Sequence, residues 1–133
     1  MRGRIKHQSI IVLVDSGSTH NFIDSAIVKR LNCPTQSISG LQVTVANGDT
    51  VKTQAACLAL HWEVQGFHQV TDFLVLPLQG CDLVLGIQWL KTLGPIMWNF
   101  ETLTMQFQTG NNMVLLKGLQ GGTIALATKK TVI

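Results

Sequence analysis

Short apolar stretches separated by turn residues run along most of this chain, and they predict strands rather than long helices. Arg4 to His7 and Ser9 to Val14 read as a hairpin. Gln42 to Ala46 and Thr50 to Ala55 flank Asn47-Gly48, a strong two-residue hairpin signal. Cys57 to Val64 and Phe67 to Leu76 flank Gln65-Gly66 and read as another hairpin. Pro77 and Gly80 break the chain before a strand from Asp82 to Leu85. Ile96 to Phe100, Leu103 to Gln108 and Met113 to Leu116 follow as strands, with Asn111-Asn112 as a turn. Two segments suit short helices. Ser25 to Leu31 has Asp24 as its N-cap and Pro34 beyond its end, and Gly86 to Leu93 is closed by Gly94-Pro95. The expected class is all-β, a small closed, barrel-like sheet with one or two short helices. Gly, Thr and Lys collect from Gly118 onward, which predicts a loosely held tail. The expected organisation is one domain over residues 1–117 and a tail or linker over 118–133.

Composition narrows this picture a little. The chain has 133 residues, of which 46% are hydrophobic and 13% charged. That is enough apolar material for a core, with surface to spare for burial against another chain. No apolar run approaches the ~20 residues that span a bilayer, and Met1 to His7 has no signal-peptide pattern, so no membrane partner is expected. The net charge is +3 and the basic residues are scattered, with a small excess at each end (Arg2, Arg4 and Lys6; Lys129 and Lys130), which solubility explains more simply than nucleic-acid contact does; no direct nucleic acid is expected. Cys33, Cys57 and Cys81 are odd in number and widely spaced, so they form no disulfide framework and suit a reducing compartment. His7, His20, His61 and His68 show no metal-ligand spacing; no metal and no cofactor are expected.

The candidate chemistry lies in Val12-Leu13-Val14-Asp15-Ser16-Gly17-Ser18-Thr19. An apolar strand runs into an acidic residue and then a turn of hydroxyls and Gly, which holds a carboxylate at the end of a buried strand. Later, Asp82-Leu83-Val84-Leu85-Gly86 repeats the design of an apolar strand ending at Gly. The pair resembles the aspartic peptidases, and Val12 to Ile23 most resembles the retropepsin-like peptidase of gypsy-type LTR retrotransposons. The resemblance covers roughly Gly3 to Phe107. It implies an acid-protease fold with one lobe per chain.

Carboxylate-driven peptide hydrolysis takes two carboxylates, one ionised to draw a proton from water and one protonated to polarise the scissile carbonyl. Of the five Asp residues, Asp15, Asp24, Asp49, Asp72 and Asp82, only Asp15 is followed by Ser-Gly. The second carboxylate must then be Asp15 of another copy, which implies an isologous homodimer. By the same resemblance Asp15, Ser16 and Gly17 form the catalytic loop, with the Ser16 hydroxyl bracing the two loops across the dimer. Gly17 offers its N–H to the carboxylate, and Ser18 bonds its outer oxygen. Leu85 and Gly86 support the loop. Val45, Ala46, Asn47, Gly48 and Asp49 fall where the family carries its flap, and Val84 and Ile87 join them in lining an apolar substrate site. The implied substrate is a Gag-Pol-like polyprotein bound in extended conformation, and the implied location is intracellular, in the cytoplasm or within virus-like particles.

Two positions depart from the viral pattern. Thr19 and Ile87 stand where viral relatives often carry an acid and an Arg that form a salt bridge near the dimer contact, so that bridge is absent. A chymotrypsin-like reading of Asp15-Ser16-Gly17 fails, because Val14 and Ser18 replace its flanking glycines and only His7 lies upstream. The remaining alternative is a catalytically inactive retropepsin-like module kept for dimerisation or peptide binding.

Overall fold

The computed structural model describes residues 1–44, 50–118 and 126–127. Its order is β1 (Arg2–Ile5), β2 (Gln8–Asp15), β3 (Phe22–Asp24), α1 (Ser25–Arg30), β4 (Gln36–Thr44), β5 (Thr50–Val64) and β6 (Phe67–Leu76). Then come β7 (Leu83–Leu85), α2 (Ile87–Leu90) with a 3-10 turn over Lys91–Leu93, β8 (Ile96–Asn99), β9 (Thr104–Thr109), β10 (Asn112–Lys117) and β11 (Leu126–Ala127).

The main sheet closes on itself. Its strands pair in the order β1-β2-β7-β3-β6-β5, and β1 pairs β5 in turn, Gly3 opposite Val64 and Arg4 opposite Glu63. β4 extends outward from β5. Gly3 makes the seam possible: a Cβ there would stand 2.6 Å from the backbone oxygen of Glu63. Closure removes free edges from most of the sheet. The second sheet, β10-β9-β8, sets Met105, Phe107 and Leu116 into the core and leaves Met97, Met113 and Leu115 exposed.

β2 and β7 run parallel through the interior, Val12 opposite Leu83 and Val14 opposite Leu85. Their continuous apolar character follows from burial on both faces. Val12, Val14, Leu83 and Leu85 belong to the larger core cluster, while Leu13 and Val84 pack with Phe22 and Leu76 in a smaller one. Trp62 and Trp89 are buried, and their indole N–H groups are satisfied by Thr71 Oγ1 at 2.9 Å and Gln69 Oε1 at 3.1 Å.

Several expectations need adjusting. Thr50–Val64 is one strand rather than two; it crosses an irregularity between Cys57 and Leu60, where Ala59 has φ 52° and gives its N–H to Asp72 Oδ1 at 2.8 Å. β3 was not expected. Asp24 precedes α1 but makes no side-chain cap, because its carboxylate instead accepts the N–H of Leu78 at 3.0 Å. The β9–β10 turn centres one residue early, on Gly110-Asn111 between Thr109 and Asn112. In the tail, Leu126–Ala127 lies parallel to β2 beside Val14 and Asp15. The Asn47-Gly48 hairpin lies outside the described residues. Among the described residues no helix is long and apolar enough to cross a membrane.

Candidate active site

β2 ends at Asp15 because the chain turns at once: the Ser18 N–H donates to the Asp15 backbone oxygen at 3.1 Å. The Gly17 N–H donates to the Asp15 carboxylate at 2.9 Å. Asp15 is fully buried, whereas Ser16 and Gly17 are exposed beside it. The loop therefore carries its carboxylate inside a rim of small polar residues, a surface that a second copy can approach.

The start of the α2 segment locks this loop. The Ile87 N–H donates to Ser18 O at 2.8 Å, and the Gly86 N–H donates to Asn21 Oδ1 at 2.9 Å. Gly86 admits that approach, since a Cβ there would stand 2.5 Å from the carbonyl oxygens of both Ser18 and His20. Asn21 is buried and bonds through both its side chain and its backbone. Its own carbonyl accepts Leu74 N–H at 3.0 Å and its amide nitrogen reaches Asp72 O at 3.4 Å. Asn21 lies outside the residues that the Asp15 motif marks. A polar residue leading an apolar strand, here Phe22-Ile23, is the signal that could have marked it, since a buried amide must find partners.

The other expected residues divide. Leu85 and Gly86 support the loop from β7 and its end. Ser18, expected on the outer oxygen of Asp15, instead donates its hydroxyl to His20 O at 2.8 Å, because the chain turns that nearby carbonyl back over it. Val84, expected to line the substrate site, is fully buried beside Leu13 and Phe22, with Val43 and Val51 packed against that cluster, whereas Ile87 is exposed. Val45, Ala46, Asn47, Gly48 and Asp49 lie outside the described residues. Thr19 is exposed and its hydroxyl meets His20 Nδ1 at 2.9 Å.

Three further aspartates have other work. Asp24, Asp72 and Asp82 accept backbone N–H groups from Leu78, Ala59 and Ile11. Nearby, burial pushes the Cys81 thiol up to about 11, with Asp82 and Asp24 adding to the effect. Among the described residues no group of three or more His, Cys, Asp or Glu is placed to hold a metal ion.

The profile of the PEG10/RTL1 protease domain matches residues 11–112, which span both Asp15 and Gly86. The chain belongs to this family. As a PEG10/RTL1-type domain it is retropepsin-like, and its mostly β fold agrees with solved structures, of which 24 chains match. One is the retroviral protease-like domain of Ddi1 from Leishmania major, 16% identical, with a TM-score of 0.57, covering 80% of this chain and 83% of that one. No curated protein sequence matches the chain.

Proposed function

We propose that this domain is an aspartic endopeptidase that works as a homodimer. The observation that carries the reading is the Asp15 loop, buried at its carboxylate, bonded by Gly17 N–H and locked to Gly86, in a chain with one such loop. Two copies would bring the Asp15 carboxylates to a shared axis. Two carboxylates about 3 Å apart cannot both ionise, so they share a proton. The ionised one takes a proton from water as the water attacks, and the protonated one donates to the carbonyl oxygen. The tetrahedral diol then collapses as a proton passes to the departing amine.

In this reading Ser16 braces the two loops across the dimer. Val45, Ala46, Asn47, Gly48 and Asp49 close over an extended peptide, and Ile87 contributes to the apolar contacts. Ser18, Leu85 and Gly86 hold the loop. The working unit is residues 1–117 with Leu126–Ala127 of the tail added beside β2, and the tail, residues 118–133, joins it to the rest of a retrotransposon-type polyprotein, which is also its substrate, inside the cell. The test is cleavage of a mixed apolar peptide pool at mildly acidic pH, with Asp15→Asn beside the parent chain. Cleavage by the parent alone supports the reading. Absence of cleavage from a folded, dimeric parent chain overturns it and leaves a peptide-binding module.

A further inference from the structure

Arg2, Arg4 and Lys6, close together at the start of the sequence, share one face of the fold with histidines from β5 and β6. Arg2 and Arg4 are exposed on alternate positions of β1, and Lys6 and His7 are exposed in the turn that follows. The ring seam sets Arg4 opposite Glu63, and the β5–β6 pairing sets Glu63 opposite His68. The outcome is a groove lined by Arg4, Lys6, His7, His61, Glu63 and His68. It continues past Arg2, Ser9 and Gln65.

Among the described residues, the acids other than Glu63 lie elsewhere. Asp24, Asp72 and Asp82 hold backbone N–H groups, Asp15 is buried in its loop, and Glu101 lies in the turn after β8. Glu63 is the one carboxylate among the lining residues, and it sits 3.3 Å from His68 Nε2. Among the described residues neither Arg2 nor Arg4 has an ion-pair partner. Lys6 gives one proton to Leu31 O at 3.1 Å and keeps two donors.

We infer that this groove binds single-stranded RNA. Alternate residues of a strand stand about 6.6 Å apart, so Arg2 and Arg4 present charge at a step that an extended phosphate backbone can follow. The exposed imidazoles of His7, His61 and His68 offer planar faces to unpaired bases, whereas the Gln65 and Gln69 amides are already bonded within the chain, to Lys117 and to His68 and Trp89. An acidic peptide could use the charges but would leave the rings idle. The groove lies on the ring seam, outside the Asp15 loop, so the inference stands independently of hydrolysis.

The experiment is fluorescence anisotropy of a short labelled oligouridine titrated with the full chain over a range of salt concentrations. Saturable binding is expected, with log K falling against log salt at a slope of about −2 for three neutralised phosphates. The Arg2→Glu/Arg4→Glu pair should weaken binding at least about tenfold, and Lys52→Glu/Lys91→Glu, with the same change in charge elsewhere, less than about twofold. If charge reversal unfolds the chain, Arg2→Gln/Arg4→Gln carries the test, with a shallower salt slope expected. His61→Ala/His68→Ala should lower affinity while leaving that slope in place. Absence of saturable binding, equal losses from the two charge-reversal pairs, or displacement by polyglutamate as effective as by unlabelled oligouridine would overturn the inference.

Discussion

The side-chain oxygen of Asn21 accepts the backbone N–H of Gly86 at 2.9 Å, joining the catalytic-type loop to the far end of β7 across 65 residues of chain. Removing it leaves the buried Gly86 N–H without its acceptor and takes a donor from Asp72 O at a part-buried bond. Asn21→Ala should cost about 1–3 kcal/mol of stability, read from urea denaturation. In a cleavage assay kcat should fall more than KM rises, because the loop rather than the peptide contacts is loosened.

Gly86→Ala and Gly3→Ala test close approach without any change of charge. Each new methyl meets backbone oxygen, at 2.5 Å for Gly86 and at 2.6 Å for Gly3. Each should destabilise by about 1–3 kcal/mol. Their local effects should differ. Amide exchange should quicken around Ser18 and Ile87 for the first and along the β1–β5 seam for the second.

Stability should show a plateau at mildly alkaline pH. Burial, helped by Cys33, pushes the Cys57 thiol up to about 11, and Cys81 rises to about 11 as well, from an ordinary 9.0. The fold favours the neutral thiols, so their contribution is complete below 9 and is lost as pH rises toward 11. The Met1 amine works at the other limb. Burial lowers it from 8.0 to about 6, so the unfolded chain binds more protons in that interval and stability is lost as pH falls from 8 to 6. Urea midpoints measured from pH 5 to 11 check both limbs. Acetylating the amine should flatten the first, and Cys57→Ala with Cys81→Ala the second.

If the active unit is a dimer with one Asp15 from each copy, dilution should lower the rate per chain. An excess of Asp15→Asn chain should also poison the parent by forming mixed pairs. A rate per chain that is independent of concentration, with no poisoning, would argue for a site complete within one copy.

The parts of this fold that were legible in the sequence are those specified locally. The Asp15 turn follows from Ser-Gly after an apolar strand, and the hairpin from Gln65-Gly66 between two apolar stretches, a pair whose φ angles in the fold are 49° and 86°. Asn21 and Gly3 were not legible, because their roles depend on Gly86 and Glu63, which only the folded chain brings near. The sequence divides β5 at Ala56, whereas its irregularity lies at Ala59, inside the second expected strand, and was not legible because the stabilising carboxylate comes from Asp72 on another strand. β3 spans three residues, too few to show a period. Asp24 looked like a helix cap because capping is the commonest local use of such a residue, yet a loop distant in sequence claimed its carboxylate.

The seam between β1 and β5 also sets an order of events. A chain emerging from its amino end presents β1 and β2 while the residues that flank them, Val64 on one side and Leu83 on the other, are still to be made. Pairings so distant in sequence form slowly, since a long loop must close before any contact rewards it. Until residue 85 is available, the apolar run from Ile10 to Val14 has no lasting cover, and the far side of β2 and the outer side of β1 can recruit strands from neighbouring chains. Newly synthesised copies held close together therefore face a contest between completing their own ring and pairing with one another.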